Sequence, residues 1–174
     1  MDIQQEQLII KKSKLEPKAF GPIFEAYVKD VYRYVYSLTK DRNKTEDMVS
    51  DCFIKAIKNI KSYEFTGKSI KHWLFVIARN GVYGQKTVTQ VQLDENQDTV
   101  IEDESILNQL ITQESVGEIE LLLSKLSIDQ QEVIKLKIWE EFTFEAISNL
   151  TNKSVSACKM LYYRGLNKLK GSLV

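Results

Sequence analysis

The chain has 174 residues, 43% of them apolar, and its 24 Lys/Arg balance 24 Asp/Glu to a formal net charge of zero. That length suits one ordinary domain or two small ones, and that apolar content excludes wholesale disorder. The longest apolar runs, such as Leu8-Ile9-Ile10 and Leu121-Leu122-Leu123, are too short for a bilayer span, and residues 1–7 lack the basic stretch of a secretory signal, so the expectation is a soluble cytoplasmic protein without membrane insertion.

The zero is an average over unlike segments. Residues 1–90 carry sixteen basic against ten acidic side chains, residues 91–120 carry nine acidic and no basic ones, and residues 121–174 carry eight basic against five acidic. Two basic segments flank an acidic strap. Basic surfaces attract polyanions, whereas a run of like charges stays extended. Few Gly and Pro beside many Lys, Glu, Leu and Ile predict an all-α fold.

In chain order, Phe20, Ile23, Phe24, Tyr27, Val31, Tyr34, Val35 and Leu38 step by three and four and predict a first helix. Asn43 with Glu46 reads as the cap pair of a second, whose stripe is Met48, Val49, Cys52, Phe53, Ala56, Ile57 and Ile60. Residues 62–68, with Thr66-Gly67, predict a loop. Ser69 then caps a third helix with Ile70, Trp73, Leu74, Ile77 and Ala78 on its core face. After Asn80 the pattern dissolves around Gly81 and Gly84, and a long polar stretch implies a boundary between domains. Helical spacing resumes at Ile106, Leu107, Leu110 and Ile111. The expected division is a helical domain at 16–86, an acidic linker at 87–114 and a second helical domain at 115–174.

The second domain carries the sharper signals. Ser127-Ile128-Asp129-Gln130 is a capping box ahead of Val133, Ile134, Leu136 and Ile138, and Glu140-Glu141 ends that helix. Thr143 caps a short helix through Phe144, Ile147 and Leu150. Thr151-Asn152-Lys153 makes a turn in which Asn takes the left-handed conformation, and Ser154 caps a last helix with Val155, Cys158, Tyr162, Leu166 and Leu169 inward. That is a helix-turn-helix pattern. Ser156, Lys159, Met160, Tyr163, Arg164 and Lys168 lie on the other face. Periodicity alone leaves open a solvated face or one that enters a major groove.

Residues 61–79 interleave aromatic and basic side chains: Lys61, Tyr63, Phe65, Lys68, Lys71, His72, Trp73, Phe75 and Arg79. Single-stranded nucleic acid is held by that pairing, bases stacking on rings while cations follow phosphates. Trp73 is assigned to the core stripe, which leaves Tyr63 and Phe65 for bases. His72 is the lone histidine and has no ligand spacing around it, so no metal is expected. No nucleophile triad, phosphate loop or paired-carboxylate motif points to an enzyme or a cofactor. Cys52 and Cys158 read as buried reduced thiols.

Leu126 to Leu169, with Phe142-Thr143-Phe144-Glu145 and Ser154-Val155-Ser156-Ala157-Cys158-Lys159, resembles region 4 of sigma-70-type RNA polymerase sigma factors. Phe20 to Asn80 resembles their region 2 through Val31-Tyr32-Arg33-Tyr34, Glu46-Asp47-Met48-Val49 with Phe53, and Trp73 to Asn80. Two modules with only a linker between them are similar to the extracytoplasmic-function subfamily. The resemblance implies a promoter-specificity subunit that binds core RNA polymerase and promoter DNA and can meet an anti-sigma factor. Glu46, Asp47, Ser50 and Asp51 would face the polymerase. Lys61, Tyr63, Phe65, Lys68, Lys71, His72, Arg79 and Asn80 would serve the −10 single strand. Ser154, Ser156, Ala157, Lys159, Met160, Tyr163, Arg164 and Lys168 would read the −35 duplex. The linker would run through the polymerase cleft. The chain departs from the family pattern at Ser50-Asp51, Ser148 and Asn152, and after Asn80 it lacks the usual basic cluster. The alternative readings are a stand-alone helix-turn-helix regulator and a degenerate sigma-like interaction module.

Overall fold

The computed structural model describes residues 1–84 and 116–173, which form eight α-helices, two 3-10 turns and no strand. The chain divides into two compact units, residues 1–87 and 88–174. The linker assigned to 87–114 and the helical spacing around Ile106 lie outside the described residues, although the end of the acidic segment is helical, within Val116–Leu123.

The first unit starts earlier than its apolar stripes suggest. Asp2 opens α1 (Ile3–Leu15) with a capping box: its carboxylate accepts the Gln5 N–H at 2.8 Å, and Gln5 Oε1 accepts the Asp2 N–H at 3.5 Å. Its buried face is Glu6, Ile10 and Ser13, mostly polar, which hides it from a search for apolar periodicity. A 3-10 turn at Pro17–Phe20 leads into α2 (Gly21–Thr39), with Pro22 in the first turn, where its missing N–H costs nothing. Ile23, Tyr27, Val31, Tyr34 and Val35 form the buried stripe, as the spacing predicts. Phe24 is 43% exposed, its ring edge-on to Phe53 at 4.9 Å.

Lys40 adopts a left-handed conformation (φ 54°) and reverses the chain into α3 (Arg42–Asn59). The cap is Asp41, which accepts the Lys44 N–H at 3.0 Å, and not Asn43; Glu46 pairs instead with Arg42. Thr45, fully buried, fixes this earlier start by bonding Asp41 O at 2.6 Å and Thr39 Oγ1 at 2.7 Å. After a 3-10 turn at Ile60–Ser62 and a loop, α4 (Lys71–Tyr83) continues past Asn80, contrary to the sequence expectation. A helical Gly costs only about 1 kcal/mol, and Gly84 at φ 71°, not Gly81, follows the helix end. Helices α2, α3 and α4 pack on one another around Val35, Phe53, Ala56, Leu74, Phe75 and Ala78.

The second unit follows its local signals closely. After α5 (Val116–Leu123), Ser127 and Gln130 form the capping box of α6 (Ile128–Ile138). Val133, Ile134 and Leu136 are buried, whereas Ile138 at the helix end is only half-buried. Glu141 at φ 56° turns the chain and Phe142 plugs the core. Thr143 caps α7 (Phe144–Thr151) by accepting the Ala146 N–H at 3.2 Å. Asn152 is left-handed (φ 56°, ψ 35°), and Ser154 accepts the Ala157 N–H at 3.1 Å at the start of α8 (Val155–Leu173). Cys158, Tyr162, Gly165, Leu166 and Leu169 form the inner face of α8.

Candidate nucleic-acid interface

The aromatic–basic segment spans two environments. Lys61 and Lys68 are exposed, Phe65 is half-buried, and Gly67 at φ 78° supplies the turn between them. Tyr63 rests its ring on Trp73 at a centroid distance of 4.7 Å, and burial pushes its hydroxyl above the ordinary tyrosine pKa. Trp73 itself is half-buried, not a core residue; the core position goes to Phe75, which is fully buried and stacked on Tyr34 at 4.7 Å. Both are large aromatics, and the rotation of α4 against α2 decides which points inward. Phe75 is thereby withdrawn from the aromatic surface.

The cations of α4 already have protein partners. Lys71 is 17% exposed, with Nζ 3.0 Å from Asp30 Oδ2 and 5.6 Å from the centre of the Phe75 ring. His72 Nδ1 lies 3.1 Å from Ser69 O. The Arg79 guanidinium sits 4.8 Å over the Tyr83 ring, and Asn80 is exposed. Lys61, Tyr63, Phe65, Lys68, Lys71 and His72 belong to the loop and the first turn of α4, while Arg79 and Asn80 lie about 12 Å further along the helix.

A buried polar cluster that sequence reasoning missed fixes the join between loop and helix. Glu6 of α1 is fully buried; Oε1 accepts the Ser69 hydroxyl at 2.8 Å and the Tyr27 hydroxyl, and Oε2 accepts the Ile70 N–H at 2.8 Å. Ser69 Oγ also accepts the Lys71 N–H at 3.2 Å, so Ser69 caps this helix with a carboxylate behind it. Tyr27 is pushed up to about 12, first by burial and then by its bond to Glu6. The Asp2/Gln5 capping box was the available signal that a helix begins there.

On α3, Glu46, Asp47, Ser50 and Asp51 all lie on the exposed face, opposite Val49, Cys52, Phe53 and Ala56. Glu46 is paired with Arg42 at 3.0 Å, and the Ser50 hydroxyl turns back to Glu46 O at 2.9 Å. What this face offers a partner is carboxylate charge.

In the helix-turn-helix, Lys153 of the turn reaches Asp129 at 3.1 Å and the Ser148 hydroxyl donates to Lys153 O at 2.6 Å, which ties the turn to α6 and α7. Ser154, Ser156, Lys159 and Lys168 are exposed; Met160, Tyr163 and Arg164 are half-exposed. Ala157 is not outward: it is 6% exposed, beside the fully buried Cys158, because the first turn of α8 buries two consecutive residues. Phe144 is the hub of the aromatic side, 5.5 Å from Tyr162 and 6.4 Å from Tyr163, with Lys137 and Lys159 over its ring at 5.0 and 5.9 Å. A capped helix with small residues first and cations later is suited to the edge of a duplex groove.

Cys52 and Cys158 are buried free thiols, and burial pushes Cys52 up to about 12, far from a nucleophile's range. Among the described residues no His/Cys/Asp/Glu group could hold a metal, and no helix is long and apolar enough to cross a membrane.

A family model for Sigma-70 region 2 matches residues 23–86, and one for Sigma-70, region 4 matches residues 117–169. The chain is 27% identical to the ECF RNA polymerase sigma factor BldN of Streptomyces coelicolor over 94% of its own length, and spans 63% of that relative. It is 28% identical to the ECF RNA polymerase sigma factor SigM of Bacillus subtilis, covering 85% of this chain and 91% of SigM. Among solved structures it shares its fold with the sigma factor RpoE of Bartonella quintana, determined in complex with the anti-sigma factor NepR. That likeness has a TM-score of 0.63 and 24% identity, over 90% of this chain and 97% of that one.

Proposed function

Since the chain belongs to the sigma-70 family of RNA polymerase sigma factors, in the extracytoplasmic-function group, we propose that it is a promoter-specificity subunit of bacterial RNA polymerase. Sigma factors are initiation factors rather than enzymes; in this chain binding energy does the work and no cofactor takes part. The exposed carboxylates Glu46, Asp47 and Asp51 on α3 face basic residues of the core polymerase, with Ser50 among them. The last helix enters the −35 duplex through Ser154, Ser156, Lys159, Met160, Tyr163, Arg164 and Lys168, while Ala157 supports it from within. The loop residues Lys61, Tyr63, Phe65 and Lys68, with Lys71, His72, Arg79 and Asn80 of α4, hold the unpaired −10 strand. Each base stacked on an aromatic ring contributes on the order of 1–3 kcal/mol, which offsets unpairing without ATP.

The observation that carries this reading is the presence in one chain of a capped helix-turn-helix and an aromatic–basic loop, in region 2 to region 4 order. A stand-alone duplex reader has no use for the loop. The protein works in the cytoplasm, with polymerase and promoter DNA as partners and an anti-sigma factor as its antagonist. Reconstitution with bacterial core polymerase and sequencing of run-off transcripts tests the reading. Discrete start sites sharing a spaced −35/−10 pair are expected; start sites indistinguishable from those of core enzyme alone would overturn it.

A further inference from the structure

Residues 3–15 precede the stretch that the region 2 model matches, yet α1 touches both ends of the loop between Ile60 and Lys71. At the entry, the 3-10 turn Ile60–Ser62 packs against α1, and the Tyr63 N–H donates to Ile60 O at 3.2 Å. At the exit, Glu6 holds the Ser69 hydroxyl and the Ile70 N–H, both at 2.8 Å. Ile70 has no side-chain cap of its own. The orphan N–H groups at the start of α4 are therefore served by Ser69 and by a carboxylate from a different helix, at the end where the helix dipole favours negative charge.

The dependence is mutual. A fully buried carboxylate is costly unless its oxygens are bonded, and three groups bond this one: Tyr27 from α2, and Ser69 and Ile70 from the loop exit. Two of the three are in place only when the exit of the loop sits here. A displaced loop would leave Glu6 under-bonded in the core, so the carboxylate favours one position of the exit over others.

We infer that Glu6 is a positioning residue for strand capture. It sets the exit of the loop, and with it the Tyr63–Trp73 ring pair and Phe65, before single-stranded DNA arrives. Preorganisation of this kind lowers the ordering cost that binding would otherwise carry. The inference rests on the reading of the loop as the strand-holding element, and the experiment keeps the two apart.

The test measures affinity of the reconstituted holoenzyme, with the full chain, for a fluorescent single-stranded oligonucleotide carrying its −10 element. Glu6→Ala is expected to bind about tenfold more weakly, the scale of one or two lost buried hydrogen bonds, at a temperature where circular dichroism shows it folded. Glu6→Gln should recover most of the affinity, because its amide oxygen can accept the Ile70 N–H while its nitrogen donates to the two hydroxyl oxygens. Tyr27→Phe, which leaves both Glu6 bonds to the loop exit in place and removes there only the longer Tyr27–Ser69 hydroxyl contact at 3.2 Å, should lower thermal stability with little loss of strand affinity. Wild-type affinity in Glu6→Ala would overturn the inference, as would losses in the three variants that simply follow their melting temperatures. If Glu6→Ala does not fold, Ser69→Ala replaces it: weakened strand binding supports the inference and wild-type binding overturns it. Tyr63→Ala/Phe65→Ala is the control for the underlying reading. If that double variant binds the strand normally, the strand-holding function of the loop fails; if only the Glu6 variants do, the positioning role alone fails.

Discussion

Tyr63 lays its ring against the indole of Trp73, centroids 4.7 Å apart and planes tilted by 41°. The contact joins the entry of the loop to the first turn of α4, so the aromatic surface for a base is assembled across two elements. Neither ring is fully buried. Stacking needs that combination: support from behind and access in front.

Replacing Tyr63 and Phe65 with Ala is expected to leave core polymerase binding intact and to slow promoter opening. At about 1–3 kcal/mol per lost stack, the deficit in open complex is at least severalfold. Premelted promoter DNA should restore much of it, since the unpairing has been done beforehand. Permanganate footprinting on duplex and bubble templates separates the outcomes: equal loss on both would indicate failure to bind polymerase.

The last helix makes a second, independent prediction. Lys159→Ala with Arg164→Ala should weaken −35 binding. A base-edge contact costs about 1–3 kcal/mol and relaxes preference at one position, whereas a phosphate contact weakens all sequences alike and flattens the salt dependence. Ala157→Leu should act differently, destabilising the second unit by overpacking beside Cys158 and losing binding only through stability. Titrations of duplex promoters at two salt concentrations, with melts of each variant, distinguish these cases. Unchanged binding in the Lys159/Arg164 double variant would remove α8 from the interface.

The parts of the fold that were legible in the sequence are those whose signals are local. Ser127 with Gln130, Thr143, Asn152 and Ser154 each act within a turn of their own position, and the second unit follows from them. The apolar stripes of α2 and α3 were equally plain. The α1 helix was not, because Glu6 and Ser13 stand where apolar residues would reveal a core face. Nor could the partners of Glu6 be read, lying 63 and 64 residues away in Ser69 and Ile70. At α3, Asp41 and Asn43 are both competent caps, and the Thr45 bonds decide between them. At α4, Trp73 and Phe75 are both aromatic, and tertiary packing alone sends Phe75 inward. The expected core position of Trp73 thus goes to Phe75, and Ala157, expected on the outer face of α8, turns inward.

Alkaline pH should loosen the first unit through Tyr27. Its hydroxyl is raised from 10.0 to about 12 in the folded chain. Below pH 10 both states keep the proton and the stabilisation is fully present; between 10 and 12 the unfolded chain loses a proton that the folded chain retains, so stability falls as pH rises. Cys52, raised from 9.0 to about 12 by burial, acts in the same direction from a slightly lower pH. Urea midpoints followed by Trp73 fluorescence in a Trp139→Phe background should drop steadily above pH 9. Tyr27→Phe should start lower at pH 8 and decline less steeply. A wild-type midpoint that is flat up to pH 11 would contradict this assignment.

Gly165 of α8 lies against Ile134 and Gln130 of α6. A Cβ built there would stand 2.7 Å from Ile134 Cδ1 and 3.5 Å from Gln130 Cβ. Two effects oppose each other in Gly165→Ala. The helix gains about 1 kcal/mol of propensity, while overpacking a core costs typically about 1–3 kcal/mol. The obstructing atom is the end of a flexible side chain, so the cost falls at the lower end of that range and the single variant should be destabilised by about 1 kcal/mol or less. Ile134→Val removes the obstructing Cδ1 and by itself costs about 0.5–1.5 kcal/mol. With Cδ1 gone, the propensity gain is no longer offset, and the added methyl fills part of the space vacated. The double variant should therefore be more stable than the sum of the single changes predicts, by at least about 0.5 kcal/mol, the size expected for residues in contact. Chemical denaturation of the four chains, followed by Trp139 in a Trp73→Phe background, measures this coupling. Strict additivity would mean that α8 shifts away from α6 as a body, so that Ile134 does not decide the fit.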